Sequence, residues 1–200
     1  GYGLSYTEFE QKMGELEEKD GQISVDVEVT NTGDVAGKDV VEVYYEPPYT
    51  NGGIEKSSAN LIEFAKTDLL QPGESQTVTV TFSIEDMASY DENNAKAYVL
   101  EKGDYVISIN SDSHTVLDQK TYTADADVVY KGENKRASDD TAATNVFEDA
   151  KGDITYLSRA DHFANYEEAT AAPESAELGE PYVSEYHLNS NFDKTTYLKD

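Results

Sequence analysis

Residues 21–48 read GQISVDVEVTNTGDVAGKDVVEVYYEPP, and the placing of their apolar side chains decides the fold. Ile23, Val25, Val27 and Val29 alternate with Ser24, Asp26, Glu28 and Thr30. Successive side chains of an extended chain point to opposite sides, so this period of two predicts a half-buried strand. NTGDVAG at 31–37 then supplies Asn, Gly and Asp, which tolerate the positive φ that a reversal needs. KDVVEVYYE at 38–46 predicts a second strand, with Val41, Val43 and Tyr45 on one face. Pro47 and Pro48 end it, because prolines cannot donate to a ladder.

The same pattern continues outward. ANLIEFAKTDLL at 59–70 reads as a third extended segment, and QPGE at 71–74 as a turn. SQTVTVTFSI at 75–84 alternates through Val78, Val80, Phe82 and Ile84. EDMASYDENN at 85–94 suggests a short helical turn and a polar loop. AKAYVLEKGDYVISINSDS at 95–113 reads as two strands around Lys102 and Gly103, and TVLDQKTYTA at 115–124 as a last strand. Seven or eight short strands with turn signals every ~8–12 residues predict an all-β chain, an immunoglobulin-like or fibronectin-like β-sandwich. Tyr105 follows the turn that opens a late strand. Its hydroxyl is expected to bond back to the backbone near Leu100, as in a tyrosine corner.

Composition narrows the partners. The chain has 200 residues and a formal net charge of -26, from 41 Asp and Glu against 15 Lys and Arg. Such a field repels phosphate backbones and anionic lipid, so neither nucleic acid nor a membrane is an expected partner, whereas neutral sugars remain open. There is no cysteine, which removes disulfides, zinc-thiolate sites and thiol nucleophiles. Leu, Ile, Val and Phe supply 28 of residues 1–123 but only 12 of residues 124–200. Residues 1–125 are therefore read as the sandwich. Residues 126–200 are read as an irregular extension with too little apolar surface to pack alone. Within it DITYLS at 153–158 reads as one strand, RADHFANYEEA at 159–169 as a short helix, and PYVSEYHL at 181–188 as another strand. Val128, Val129, Ile154, Tyr156, Leu157, Phe163 and Tyr182 are its expected anchors on apolar surface.

GYGLSYTEFE at 1–10, VTNTGDVAGKDVVEVYY at 29–45, LLQPGESQTVTVTF at 69–82, SIEDMASYDE at 83–92 and LEKGDYVISINSDS at 100–113 occur in that order. Together, over residues 1–115, they resemble the fibronectin type III-like domain of family 3 glycoside hydrolases, the β-glucosidase and β-xylosidase group. The resemblance implies that the chain is a piece of a longer enzyme. GYGLSYT would lie where a preceding α/β sandwich domain hands over, with Leu4, Tyr6 and Phe9 opening the first strand. GDITYLSRADHFANY at 152–166 is similar to the segment that, in permuted members, leads toward a C-terminal (β/α)8 barrel. The implied partners are these two catalytic domains.

Hydrolysis of a glycosidic bond needs two carboxyl groups, about 5–9.5 Å apart according to mechanism. The resemblance places the nucleophile on the barrel and the acid/base on the α/β domain, so no catalytic residue is assigned here. Asp161 stands where the family's barrel phrase has Lys before His-Phe, so His162 and Phe163 inherit no role. No pair of His at metal-binding spacing occurs, and neither cofactor nor metal is implied. The Asp and Asn of DENN and DSD read as turn residues. The candidate contact region is YYEPPYTNGGIEKSSAN at 44–60, where Tyr45, Tyr49 and Asn51 would face a sugar or a neighbouring domain. The expected role is a non-catalytic structural module that braces the catalytic domains; the alternative is an independent carbohydrate-binding module.

Overall fold

The structure is a computed structural model that describes residues 5–150 and 152–172. Among them are ten strands: β1 Phe9–Lys19, β2 Gln22–Asn31, β3 Val40–Glu46, β4 Asn60–Lys66, β5 Ser75–Ser83, β6 Ser89–Asp91, β7 Ala97–Leu100, β8 Gly103–Asn110, β9 Val116–Ala124 and β10 Val128–Tyr130. Seven of them make a sandwich. One sheet has the order β1-β2-β5, the facing sheet β4-β3-β8-β9, and all neighbours are antiparallel. A third small sheet, β10-β7-β6, closes one side.

The period-two residues meet across the first sheet as their pattern requires. Ile23 pairs with Phe82, Val25 with Val80 and Val27 with Val78, and all six are buried. Val41, Val43, Tyr45, Ile107 and Ile109 face them from the second sheet. Burying each such aliphatic side chain contributes roughly 1.5–3 kcal/mol, so these two faces dominate the stability of the sandwich.

Strand β1 carries no period-two signature. Its inward residues Phe9, Met13 and Leu16 are spaced by four and three. A β-bulge between Met13 and Leu16 is the reason, because an extra residue turns an i,i+3 pair to the same face. Gly14 lies in that bulge, where an added Cβ would come within 2.9 Å of the Asp26 carbonyl oxygen. The first strand thus starts at Phe9. Tyr6, expected within it, is 97% exposed, and Leu4 lies outside the described residues.

Two further expectations change. The segments around Lys102 and Gly103 are both strands, yet they do not form a hairpin. β7 pairs with β6 and β10, while β8 pairs with β3 and β9, so this turn carries the chain between sheets. Residues 153–158 form no strand, and the helix of the next segment is confined to α1, Tyr166–Ala169. The expected strand at 181–188 and Tyr182 lie outside the described residues.

Polar locks sit at the two ends of the sandwich. At one end the Asn31 side chain is fully buried and makes four hydrogen bonds. Its oxygen accepts from Thr7 Oγ1 at 2.7 Å and from the Gly33 N–H at 3.1 Å. Its amide donates to the carbonyls of Val35 and Leu70, each at 2.9 Å. It therefore ties the segment before β1, the β2–β3 turn and the β4–β5 turn together. At the other end Tyr105 Oη donates to the Glu101 carbonyl at 3.0 Å, the expected corner. Burial raises the pKa of its phenol. Asn31→Ala leaves several buried partners unpaired, at about 1–3 kcal/mol for each group. Urea unfolding should show a loss of about 3 kcal/mol, and an unchanged midpoint would contradict the lock.

Candidate functional site

The loop at 47–59 is shaped by what ends β3. Pro48 packs against Gly103, whose φ is +142°, and an added Cβ there would meet Pro48 Cβ at 3.0 Å. The Lys56 side chain is only 2% exposed; it forms an ion pair with Glu101 and donates to the Pro48 carbonyl at 2.6 Å. A buried ammonium is tolerable only when paired and hydrogen-bonded in this way. Since Tyr105 bonds to the Glu101 backbone, the loop hangs from the tyrosine corner.

The extension docks on this loop through Arg159. Its guanidinium lies 4.3 Å from the Tyr49 ring centroid, donates to the Lys56 carbonyl at 3.3 Å and stands 3.6 Å from the Glu46 carboxylate. Beside it, the Glu55 carboxylate accepts from Ser158 Oγ at 2.6 Å, the Arg159 N–H at 2.9 Å and Tyr49 Oη at 3.2 Å. Asn51 donates to Asp161 at 2.7 Å. Partial burial alone would raise the Glu55 pKa. The hydrogen bonds from Ser158, Arg159 and Tyr49, with the Arg159 charge, outweigh it and hold the carboxyl below the ordinary glutamate value.

A second anchor repeats the device on the small sheet. Arg136 lies 3.7 Å from the Tyr98 ring centroid, and its guanidinium is held by both Asp139 oxygens at 2.9 and 3.0 Å. Tyr98 meets Tyr90 edge-on at 5.5 Å. Tyr90 Oη accepts from the Asn145 N–H at 2.9 Å, and Glu85 accepts from the Ala137 N–H at 2.8 Å. Arg136 and Arg159 are the only two arginines in the chain, the other cations being lysines. A guanidinium stacks on a ring while donating in its own plane, which a lysine cannot do. Sequence reasoning passed over both; the scarcity of arginine was the available signal.

The expected apolar anchors behave differently. Val128 packs against the core, but Val129, Ile154, Tyr156, Leu157 and Phe163 are exposed. Beyond β10, which is laddered to β7, polar and cation–π contacts hold the described part of the extension.

Of the sequence-predicted contact residues, Tyr45 is in the core, since it shares the inward face of β3 with Val41 and Val43. Burial, then the Asp86 charge, raises its pKa. It presents no face to a ligand. Tyr49 and Asn51 are brought together, but with Arg159 and Asp161. They line an open cleft of about 400 Å³ with Ser58 and Phe163. Asp161, His162 and Phe163 have φ of 50°, 60° and 61°, a left-handed turn without glycine. Such a conformation costs roughly 1–2 kcal/mol per residue, and the Asn51–Asp161 bond helps to hold it.

The remaining candidates are local. Asp91 accepts the N–H groups of Asn93, Asn94 and Ala95, and Asp112 those of His114 and Thr115. These carboxylates close turns. Among the described residues no three His, Cys, Asp or Glu side chains cluster closely enough to hold a metal ion, and no helix is long and apolar enough to cross a membrane.

The Arg159 clamp has a definite pH dependence. The docked pKa of Glu55 lies below its reference of 4.5. Its contribution is therefore complete above that value and is lost as pH falls through the docked pKa. Hydrogen-exchange protection of the Arg159 amide should hold from about pH 7 to 5 and decline below about pH 4. Glu55→Gln should remove that dependence. Protection that persists unchanged to about pH 3 would contradict it.

Residues 39–113 match the family model of the fibronectin type III-like domain. The β-glucosidase of Kluyveromyces marxianus is 35% identical over 133 residues, covering 66% of this chain and 15% of that protein. The β-glucosidase of Ruminococcus albus is 39% identical over 130 residues, covering 63% and 13%. The structure of β-glucosidase 3B from Thermotoga neapolitana in complex with α-D-glucose superposes with a TM-score of 0.58 at 34% identity, over 65% of this chain and 18% of that one. The chain thus spans only 13–15% of the length of these two curated relatives. Residues 39–113 of the sandwich are thus similar to the fibronectin type III-like domain, and the sandwich as a whole is similar to one part of several β-glucosidases, among them a GH3 β-glucosidase of Bifidobacterium adolescentis at 26% identity and a TM-score of 0.56.

Proposed function

We propose that this chain is a non-catalytic structural module of a family 3 glycoside hydrolase. In this reading residues 1–125 brace the catalytic α/β sandwich and (β/α)8 barrel domains of the parent polypeptide, and residues 126–200 lead toward the barrel. The parent hydrolyses O-glycosyl bonds of β-glucosides, and the two carboxyl groups that reaction needs belong to those other domains.

One observation carries the reading: the groups that converge on the 47–59 loop are engaged in fastening the extension. Tyr49 lies under Arg159, Asn51 binds Asp161, and Glu55 accepts from Ser158 and Arg159. A site of that kind positions a departing chain. The similarity to part of several β-glucosidases supports the same reading. The burial of Tyr45 and the stacking of Arg159 on one face of Tyr49 weigh against a carbohydrate-binding module.

The 200-residue chain should show no turnover of aryl β-glucosides or β-xylosides above buffer. Calorimetric titration with cello- and xylo-oligosaccharides should show no saturable heat at millimolar concentrations. Turnover that survives repurification would overturn the non-catalytic assignment, and saturable binding would favour the carbohydrate-binding module.

A further inference from the structure

The loop that receives the extension contains Asn51-Gly52, the one Asn-Gly pair in the chain. The two residues form the middle of a turn closed by the Gly53 N–H, which donates to the Thr50 carbonyl at 2.9 Å. Gly52 has a φ of +78°, and nothing lies within 4 Å of where its Cβ would stand. Residues 50–53 are exposed, and among the described residues no group accepts from the Gly52 N–H. An asparagine resists water only while the next amide nitrogen is kept from its side-chain carbonyl carbon. Glycine in that next place lacks the Cβ that would obstruct the approach. The Asn51 amide is held by one bond, which it donates to Asp161 Oδ1 at 2.7 Å. That bond joins the loop to a turn in which Asp161, His162 and Phe163 are all left-handed. Strain of that kind persists where surroundings over-determine it.

We propose that Asn51 is a deamidation site, and that its conversion to aspartate or isoaspartate unfastens the left-handed turn of the extension from the loop in one direction only. The Gly52 nitrogen attacks Asn51 Cγ and bonds to it, while the side-chain nitrogen leaves as ammonia with the proton that Gly52 gives up. Water then adds to either carbonyl of the resulting succinimide and breaks its C–N bond. Water is the only co-reactant, and nothing is oxidised or reduced. While the turn is docked, the Asn51 amide is held toward Asp161, so the bond that depends on Asn51 also guards it. After conversion a donor has become a carboxylate opposite Asp161, and like charges at hydrogen-bond distance repel. Arg159 lines the same cleft but is already opposed by Glu46 at 3.6 Å and by the Glu55 carboxylate, so it does not absorb the added charge. Isoaspartate also lengthens the main chain within the turn that Gly53 closes. Undocking thus frees Asn51 to react, and the reaction makes undocking permanent.

Ageing the 200-residue chain in neutral buffer tests this. Peptide mapping by mass spectrometry follows the amide-to-acid exchange at each asparagine. Amide hydrogen exchange reads Phe163 and Ala164, whose N–H groups donate to the Arg159 and Ala160 carbonyls within the turn. Asn51 should convert at least tenfold faster than Asn60, and Asp161→Ala should speed its conversion severalfold. In freshly prepared Asn51→Asp, Phe163 and Ala164 should exchange at least tenfold faster than in the unaltered chain, while the amides of β2 and β5 keep their rates. Asn51→Gln, which cannot close the five-membered ring, should exchange alike before and after ageing. Conversion of Asn51 no faster than that of Asn60 would overturn the modification site. Unchanged exchange of Phe163 and Ala164 in Asn51→Asp would overturn the release, and either result would overturn the proposal.

Discussion

A single buried carboxamide fixes how the two sheets of this sandwich are joined. Apolar faces alone would let the sheets slide, because the hydrophobic effect is non-directional. Asn31 removes that freedom by satisfying both of its acceptor sites and both of its donors with partners from three separate segments. Gly33 must be glycine in that turn, since an added Cβ would stand 2.2 Å from Thr7 Oγ1. At the opposite end Tyr105, Glu101 and Lys56 do the same for the turn between sheets and the 47–59 loop. The Arg159 anchor of the extension is built on that second lock, while the Arg136 anchor holds on to the small sheet.

The molecule divides its chemistry accordingly. Within the sandwich, aliphatic burial supplies the stability and a few polar groups supply the register. In the extension beyond β10 the apolar side chains among the described residues are too few and too exposed to supply either. Two guanidinium–tyrosine stacks and the Glu55 cluster fasten it instead. In a chain this acidic, each arginine is also a local sink for the surrounding negative field. Both hold the extension to a tyrosine, Arg136 to Tyr98 of the small sheet and Arg159 to Tyr49 of the 47–59 loop.

What was legible in the sequence follows the same division. Ile23 to Val29 and Val78 to Ile84 show their strand period plainly, because neighbouring sheets bury one face and leave the other wet. Tyr105 was placed correctly because a corner needs one tyrosine just past a turn. β1 was hidden by its bulge, which turns the spacing of Met13 and Leu16 into one that mimics a helix. The pairing of β7 and β8 was hidden because turn chemistry reports a reversal, not which sheet receives the next strand. Tyr45 was legible both as core, from its phase with Val41 and Val43, and as a surface aromatic, from its place beside a long loop; the strand phase won. The anchoring of the extension was hidden because cation–π contacts between Arg159 and Tyr49, 110 residues apart, leave no periodic trace.

The claim that this sandwich and its clamped extension brace a catalytic partner is tested most directly by the heat inactivation of the longer protein carrying Arg159→Ala. Residual β-glucosidase activity after timed heating reports the brace, while kcat and KM at 25 °C report the chemistry. The account predicts that the half-inactivation temperature falls by several degrees with both kinetic constants unchanged. An unaltered inactivation curve, or a collapse of kcat at 25 °C in a folded protein, would contradict it.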